Sequence, residues 1–249
     1  MDALTAPLPA RRPNLLPRIR AIVFDLDGVL VDSMSWWHEV RNEFAAAHDR
    51  RWTEADEAAM HGANTREWCA EIRKRLGLDM SEEEIEQAVI GGLLERYATR
   101  GAPAIDGAAE AIRRLSGRYS LAVASSAPTR VIEAALAGLG IRDRIRAVTS
   151  SDEAGTGKPA PDVFLLAARR LGVDPAECLV VEDSLNGILG ARAAGMRVVL
   201  VPDPSEPPSA GAREAATYSL ESLRELELEP ARDRIAGKER GPAGAARPL

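Results

Sequence analysis

The chain has 249 residues, 45% hydrophobic and 28% charged, with a formal net charge of -6. This is enough apolar content for a full α/β core, and it leaves no continuous basic face on which a nucleic-acid backbone could lie. The two cysteines, Cys69 and Cys178, are too far apart for a paired metal-ligand spacing or a disulfide framework and read as reduced apolar filler. No apolar run approaches membrane-spanning length, and prolines break the opening MDALTAPLPARRPNLLPRIR where a signal peptide needs an unbroken apolar stretch. A cytoplasmic protein with neither nucleic acid nor membrane as partner is the expectation.

Residues 1–18 are rich in Pro and Arg, lack a hydrophobic period and read as a flexible leader. Ala21-Ile-Val-Phe-Asp25 is a short β-rich run closed by DGVLVDS, a buried strand ending in a loop. From Met34 to about Arg100 the period is helical, with starts at Ser33, at Thr53 with Asp56, at Asn64 with Glu67 and at Ser81 with Glu84. Gly77 and Gly101 suit helix ends. The pattern then alternates: helix 107–116, strand 121–124, helix 129–138, strand 146–149, helix 161–171, strand 178–181, helix 186–194, strand 197–201. Asp174-Pro175-Ala-Glu177 reads as one helical turn before a strand. Such alternation predicts an α/β fold, a Rossmann-like parallel sheet with helices on both faces, formed by 19–32 and 104–228. An all-helical cap, 33–103, is inserted after the first strand, where ligands of such sheets bind. The tail 229–249 is polar, aperiodic and read as disordered.

Asp25 and Asp27 lie two residues apart at the end of a strand, so their side chains can converge on one ligand. Two close carboxylates are costly unless a cation or proton divides them. Glu182-Asp183 closes a second strand in the same way, and parallel strands bring both clusters to one edge. The resulting oxygen site suits a hard ion, Mg²⁺ in particular, which keeps waters and binds substrate phosphate. Donors for phosphoryl oxygens are at hand in Ser125, after the strand Leu121–Ala124, and in Lys158 of GTGKPAPDVF, just before a helix. Pro159 after the lysine rules out a nucleotide-binding P-loop.

DLDGVLVDS at 25–33, Ser125, Lys158 in KPAPD and Glu182-Asp183 in VEDSLNG stand in the order of the four motifs of the haloacid dehalogenase-like superfamily. Over 19–203 the chain resembles that family, and most of all its β-phosphoglucomutase-like branch. The resemblance implies that Asp25 is a nucleophile forming an aspartyl phosphate and that Asp27 is the general acid/base. It implies Mg²⁺ held by Asp25, Asp183 and the backbone carbonyl of Asp27, with Glu182 acting through a water. Ser125 and Lys158 would hold phosphoryl oxygens, and the cap would close over a small phosphorylated metabolite such as a sugar or polyol phosphate. An acid at 27 sets the chain apart from the dehalogenases and phosphonatases of the superfamily. In the mutase that names the branch, a histidine of the first cap helix serves sugar transfer; here Trp37 takes its place, and His38 is rotated by about 100° along the helix. That favours hydrolysis over mutase transfer.

Plainer readings stand beside these. Asp25 and Asp27 are also turn formers, and capping of the first cap helix accounts for Asp32 and Ser33. All four tryptophans, Trp36, Trp37, Trp52 and Trp68, fall in the cap, as its small core or, for Trp37, as a substrate contact. Arg66 either grips a second anionic group or faces solvent. His38, His48 and His61 are spaced unlike a metal site. A sugar phosphomutase and a non-catalytic phospho-ligand-binding protein are the alternative functions, and nothing decides between monomer and homodimer.

Overall fold

The computed structural model describes residues 19–60, 62–205 and 207–228; the leader and tail readings, like His61, lie outside the described residues. The elements run β1 (Ala21–Phe24), α1 (Met34–Ala47), α2 (Glu54–Ala58), α3 (Thr65–Leu76), α4 (Glu82–Arg100), α5 (Ala108–Leu115), β2 (Ser120–Ser125), α6 (Thr129–Gly138), β3 (Ala147–Ser150), α7 (Ser151–Ala154), α8 (Asp162–Leu171), β4 (Cys178–Glu182), α9 (Leu185–Ala193), β5 (Arg197–Leu200), α10 (Ala210–Ala215) and β6 (Tyr218–Ser219). The six strands form one parallel sheet in the order β3-β2-β1-β4-β5-β6.

Every residue of β1 is buried, as a central parallel strand covered on both faces requires. Ile22 and Phe24 join an apolar cluster with Leu121, Val123, Leu179 and Val181, while Ala21 and Val23 join a second with Val180, Phe164 and Ile188 on the other face. Register sets the functional edge. Phe24 lies across from Val123 of β2 and Val181 of β4, so Asp25 is level with Glu182 and one step short of Ser125 and Asp183.

The cap helices α1–α4 follow β1 directly. The chain leaves and re-enters through a two-strand neck: Val31 bridges Ala104 antiparallel, and Asp32 N–H donates to Pro103 O at 2.8 Å. We take 33–103, on this neck, as the proposed extent of the cap. Capping boxes form at Thr53/Asp56, Asn64/Glu67 and Ser81/Glu84, and Gly77 ends α3 at φ 60°. Ser33 departs from expectation: it occupies the N-cap position of α1, but its side chain makes no capping bond. Its hydroxyl is spent on Asp27, and Asp32 accepts from Ser205 Oγ at 2.9 Å.

Asp174 caps the short turn Pro175–Glu177. The sequence reading lacked α7, α10 and β6, which are too short to show a period. Both cysteines are free and buried, and burial raises their thiols to about 12 for Cys69 and about 11 for Cys178. Among the described residues no helix is long and apolar enough to cross a membrane.

Candidate active site

A cavity of about 330 Å³ opens at the carboxyl ends of β1, β2 and β4, roofed by the cap, and its lining includes Asp25, Asp27, Ser125, Lys158 and Asp183. Asp25 and Asp27 leave β1 on a turn whose Gly28 has φ 82°; a Cβ there would lie 2.4 Å from Asp183 Oδ2. The turn therefore requires glycine twice over, for its backbone conformation and for the close approach of the two acid-bearing loops.

Lys158, brought in by the loop between α7 and α8, is buried. Its Nζ donates to Asp25 Oδ1 and, at 2.6 Å, to Glu182 Oε1. The other oxygen of Glu182 accepts from Asp183 N–H and Ser184 N–H at 3.0 Å each and from Ser184 Oγ at 2.9 Å. Both oxygens of this fully buried carboxylate thus carry protein donors. Ser125 Oγ accepts from Ala127 N–H at 3.0 Å and donates to Asp27 Oδ2 at 3.4 Å.

Carboxylate oxygens of Asp25, Glu182 and Asp183 lie within 4.8 Å of one another. Burial pushes the Asp25 carboxyl up to about 7 against the pull of Lys158, with Glu182 and Asp27 adding to the rise. Burial likewise raises Asp183 well above the usual carboxylate range, helped by Glu182 and Asp25. Burial would raise Glu182 too, but Lys158 and the hydrogen bonds from Lys158 and Ser184 outweigh it and hold this carboxyl below its ordinary value. Burial works against the Lys158 cation, and Asp25 and Glu182 more than offset it. Asp25 and Asp183, crowded with Glu182 around one lysine, offer carboxylate oxygens in a site short of positive charge, and a hard divalent cation fits them.

The cap side differs from expectation in part. All four tryptophans are buried in the apolar cluster. Trp37 and Trp68 also line the cavity, packed edge to face at 6.3 Å. Trp37 Nε1–H donates to Asp27 Oδ1 at 3.0 Å, beside the Ser33 hydroxyl on the same oxygen. His38 is exposed. Arg66 is exposed and outside the cavity lining, so the structure does not bring it to the site. It follows the N-cap Asn64, whose neighbour Thr65 is tied to the core: Thr65 N–H and Oγ1 both donate to Asp152 at 2.7 Å. That docking leaves Arg66 on the outer face of α3.

The cationic cap residue in the lining is instead Arg41, which the sequence reading missed. It follows Trp37 by four residues on α1, and the i, i+4 rule would have put both on one face. Ser126 and Asp203 were missed as well, each being an ordinary loop residue until the fold gathers them, and Ser33 was read as a helix cap. Ser126 Oγ donates to the cap at Gly62 O, 3.0 Å away, and Asp203 lines the cavity.

A parallel sheet that gathers acids, a serine and a buried lysine at one edge, beneath a helical cap inserted after its first strand, defines the class. This chain belongs to the haloacid dehalogenase-like hydrolases, whose family model matches residues 19–195. It is 33% identical over 190 residues to the fructose-1-phosphate phosphatase YqaB of Escherichia coli (strain K12), covering 73% of this chain and 96% of the relative. It resembles the crystal structure of CbbY from Rhodobacter sphaeroides in complex with phosphate, at TM-score 0.73 and 26% identity over 84% of this chain and 96% of that one. The β-phosphoglucomutase of Clostridium difficile shares the fold, at TM-score 0.73 and 20% identity over 84% and 94% of the two chains.

Proposed function

We propose that this chain is a Mg²⁺-dependent phosphatase that hydrolyses a small phosphorylated metabolite, such as a sugar or polyol phosphate, through a phosphoryl-aspartate on Asp25. The observation that carries the reading is the meeting of Asp25, Asp27, Ser125, Lys158 and Asp183 in one cavity. Its relative YqaB, by name a fructose-1-phosphate phosphatase, supports the substrate class.

In this reading the Asp25 carboxylate attacks phosphorus, and the Asp27 carboxyl protonates the departing oxygen and then takes a proton from the attacking water. Lys158 and Ser125 hold phosphoryl oxygens and balance charge that spreads over them in a loose transition state. Asp25, Asp183 and the backbone carbonyl of Asp27 would hold Mg²⁺, which supplies further charge neutralisation at the phosphoryl group. Glu182, with both oxygens already taken, anchors Lys158 and has little left to offer an ion. The cap keeps solvent from the acyl phosphate until the alcohol leaves.

The test is release of phosphate from a chromogenic phosphate ester by wild type and by Asp25→Asn, each with and without Mg²⁺. Turnover is expected from wild type with Mg²⁺ alone, with a loss of at least about 10³-fold in the variant. Substantial turnover by a folded Asp25→Asn variant sinks the aspartyl-phosphate route.

A further inference from the structure

Lys158 reaches the reacting acids through its Nζ, which donates to Asp25 and Glu182. The backbone that carries it, the loop 155–158 between α7 and α8, completes its hydrogen bonding on the cap. Gly157 N–H donates to Glu67 Oε1 at 3.4 Å, and Gly155 O accepts from Asn64 Nδ2 at 3.3 Å. The two loops approach closely from both sides. A Cβ on Gly157 would lie 2.4 Å from Glu67 Oε2, 2.6 Å from Gly62 O and 2.9 Å from Asn64 N, and one on Gly62 would lie 2.8 Å from Lys158 O. Both positions therefore require glycine for the cap to rest on the loop.

The seat is the N-terminus of α3, whose first N–H groups have no partner within the helix and carry the positive end of its dipole. Asn64 and Glu67 satisfy each other there as a capping box, which leaves Glu67 Oε1 aimed at Gly157. Thr65, the first residue of α3, turns to the core: its N–H and its hydroxyl donate to the two carboxylate oxygens of Asp152 in α7, each at 2.7 Å. An acid at a helix N-terminus with two charge-assisted hydrogen bonds is a strong tie for so small a contact. Asp152 is exposed, and neither it nor Glu67 lines the cavity. Both residues thus act from outside the cavity, on the loop that carries Lys158.

We infer that Asp152 and Glu67 are positioning residues for Lys158. They seat the N-terminus of α3 on the loop 155–158, so the lysine is fixed and covered when the cap is down and is released when the cap lifts. The consequence for phosphoryl transfer rests on the phosphatase reading, whereas the tie between cap and lysine does not. With the cap lifted, Gly157 N–H and Gly155 O turn to water, and Lys158 loses the cover that keeps it buried. With the cap down, the grip on the phosphoryl oxygens and the exclusion of solvent are set by the same contact.

Lysine acetylation reads this tie directly. The chain has three lysines, Lys74, Lys158 and Lys238. Lys74 is exposed and Lys158 buried, so the ratio of Lys158 to Lys74 acetylation by an N-hydroxysuccinimide ester, measured by mass spectrometry, reports the cover over Lys158. Asp152→Ala removes the acceptor for Thr65 but keeps the Asp152 N–H that Ser150 caps. The ratio is expected to rise at least about tenfold in this variant, as for a local opening. Glu67→Ala should raise it likewise, and Glu67→Gln, which keeps one acceptor oxygen, should fall between Glu67→Ala and wild type. Thr65→Val, which deletes the hydroxyl from the cap side alone, should give a smaller rise in the same direction. Cys178, buried in the core, should stay unreactive toward a thiol reagent throughout. A ratio unchanged in Asp152→Ala and Glu67→Ala, or one that rises only where Cys178 also reacts, overturns the inference. On a chromogenic phosphate ester, kcat/KM should fall by about tenfold or more in step with the rise in the ratio. Absence of turnover by wild type counts against the phosphatase reading instead, and the acetylation ratio still decides this one.

Discussion

The two walls of the cavity are built by different means. On the core side, Asp25, Ser125, Glu182 and Asp183 stand at the ends of hydrogen-bonded parallel strands, so backbone register places them. Ser125 and Glu182 are held further by nearby backbone donors, Ala127 N–H and Ser184 N–H. On the cap side, Trp37, Arg41, Met60 and Trp68 project from helices and a loop, and side-chain contacts, among them the Trp37–Asp27 bond and the Arg41–Glu57 pair, set where they point. One wall is acidic, backbone-fixed and suited to the phosphoryl group that every substrate shares. The other is apolar and adjustable, and suited to the alcohol that distinguishes substrates. Separating them lets selectivity change without moving the reacting atoms.

This contrast is tested most severely where the core wall has no slack. A Cβ on Gly187, in the first turn of α9, would lie 1.7 Å from Glu182 Oε1, so Glu182 would have to move and carry Lys158 with it. Gly187→Ala is expected to cost at least about 10²-fold in kcat/KM, the scale of a misplacement near 1 Å, and to lower the melting temperature. Near-normal activity would show the core wall to be as adaptable as the cap.

Trp37 links the two walls, since it belongs to the cap yet bonds Asp27 of the core. Trp37→Phe keeps a ring in place and deletes the N–H, leaving Ser33 as the donor to Asp27 Oδ1. A fall in kcat of roughly tenfold with little change in KM is expected, about one charge-assisted hydrogen bond. A rise in KM at constant kcat would mean that Trp37 acts on substrate packing alone.

The same contrast explains what could be read from the sequence. Strand ends followed by acids go far to specify position: once β1 and β4 are parallel, both acid clusters lie at one edge of the sheet, and the observed register then sets Asp25 level with Glu182; the α/β order with its inserted helices was legible for the same reason. Helical side chains carry no such guarantee. Arg66 could be read equally as an anion ligand or as a solvent-facing arginine, and the tie between Thr65 and Asp152 turns it outward. Arg41 sat unmarked in an amphipathic stretch until Trp37 and Trp68 were seen to flank it. Ser33 had two credible jobs, and only the closeness of Asp27 decides between them.

The smallest effect expected concerns the acidic cluster as a whole. Asp25, raised to about 7, and Asp183, also raised, keep protons in the folded state that the unfolded chain has lost above its ordinary carboxylate range. Between roughly pH 4 and 7 the folded state therefore binds more protons, and the contribution of these two groups to stability falls as pH rises through that window. Glu182 works the other way: its depressed value gives a contribution present above pH 4.5 and lost as pH falls through the folded value. A divalent cation competes with the protons on Asp25 and Asp183, so it should bind more tightly at pH 8, above the Asp25 value of about 7, than at pH 5. The rise in melting temperature caused by Mg²⁺ is accordingly expected to be larger at pH 8 than at pH 5 by about 2–4 °C, the size of a 1 kcal/mol effect in a chain of this length. Comparing protein with and without the ion at each pH cancels the titration of surface carboxylates, which the ion does not touch. Asp183→Asn should flatten the difference. An equal rise at both pH values would mean that the ion binds away from the strand ends, where the core wall gathers its acids.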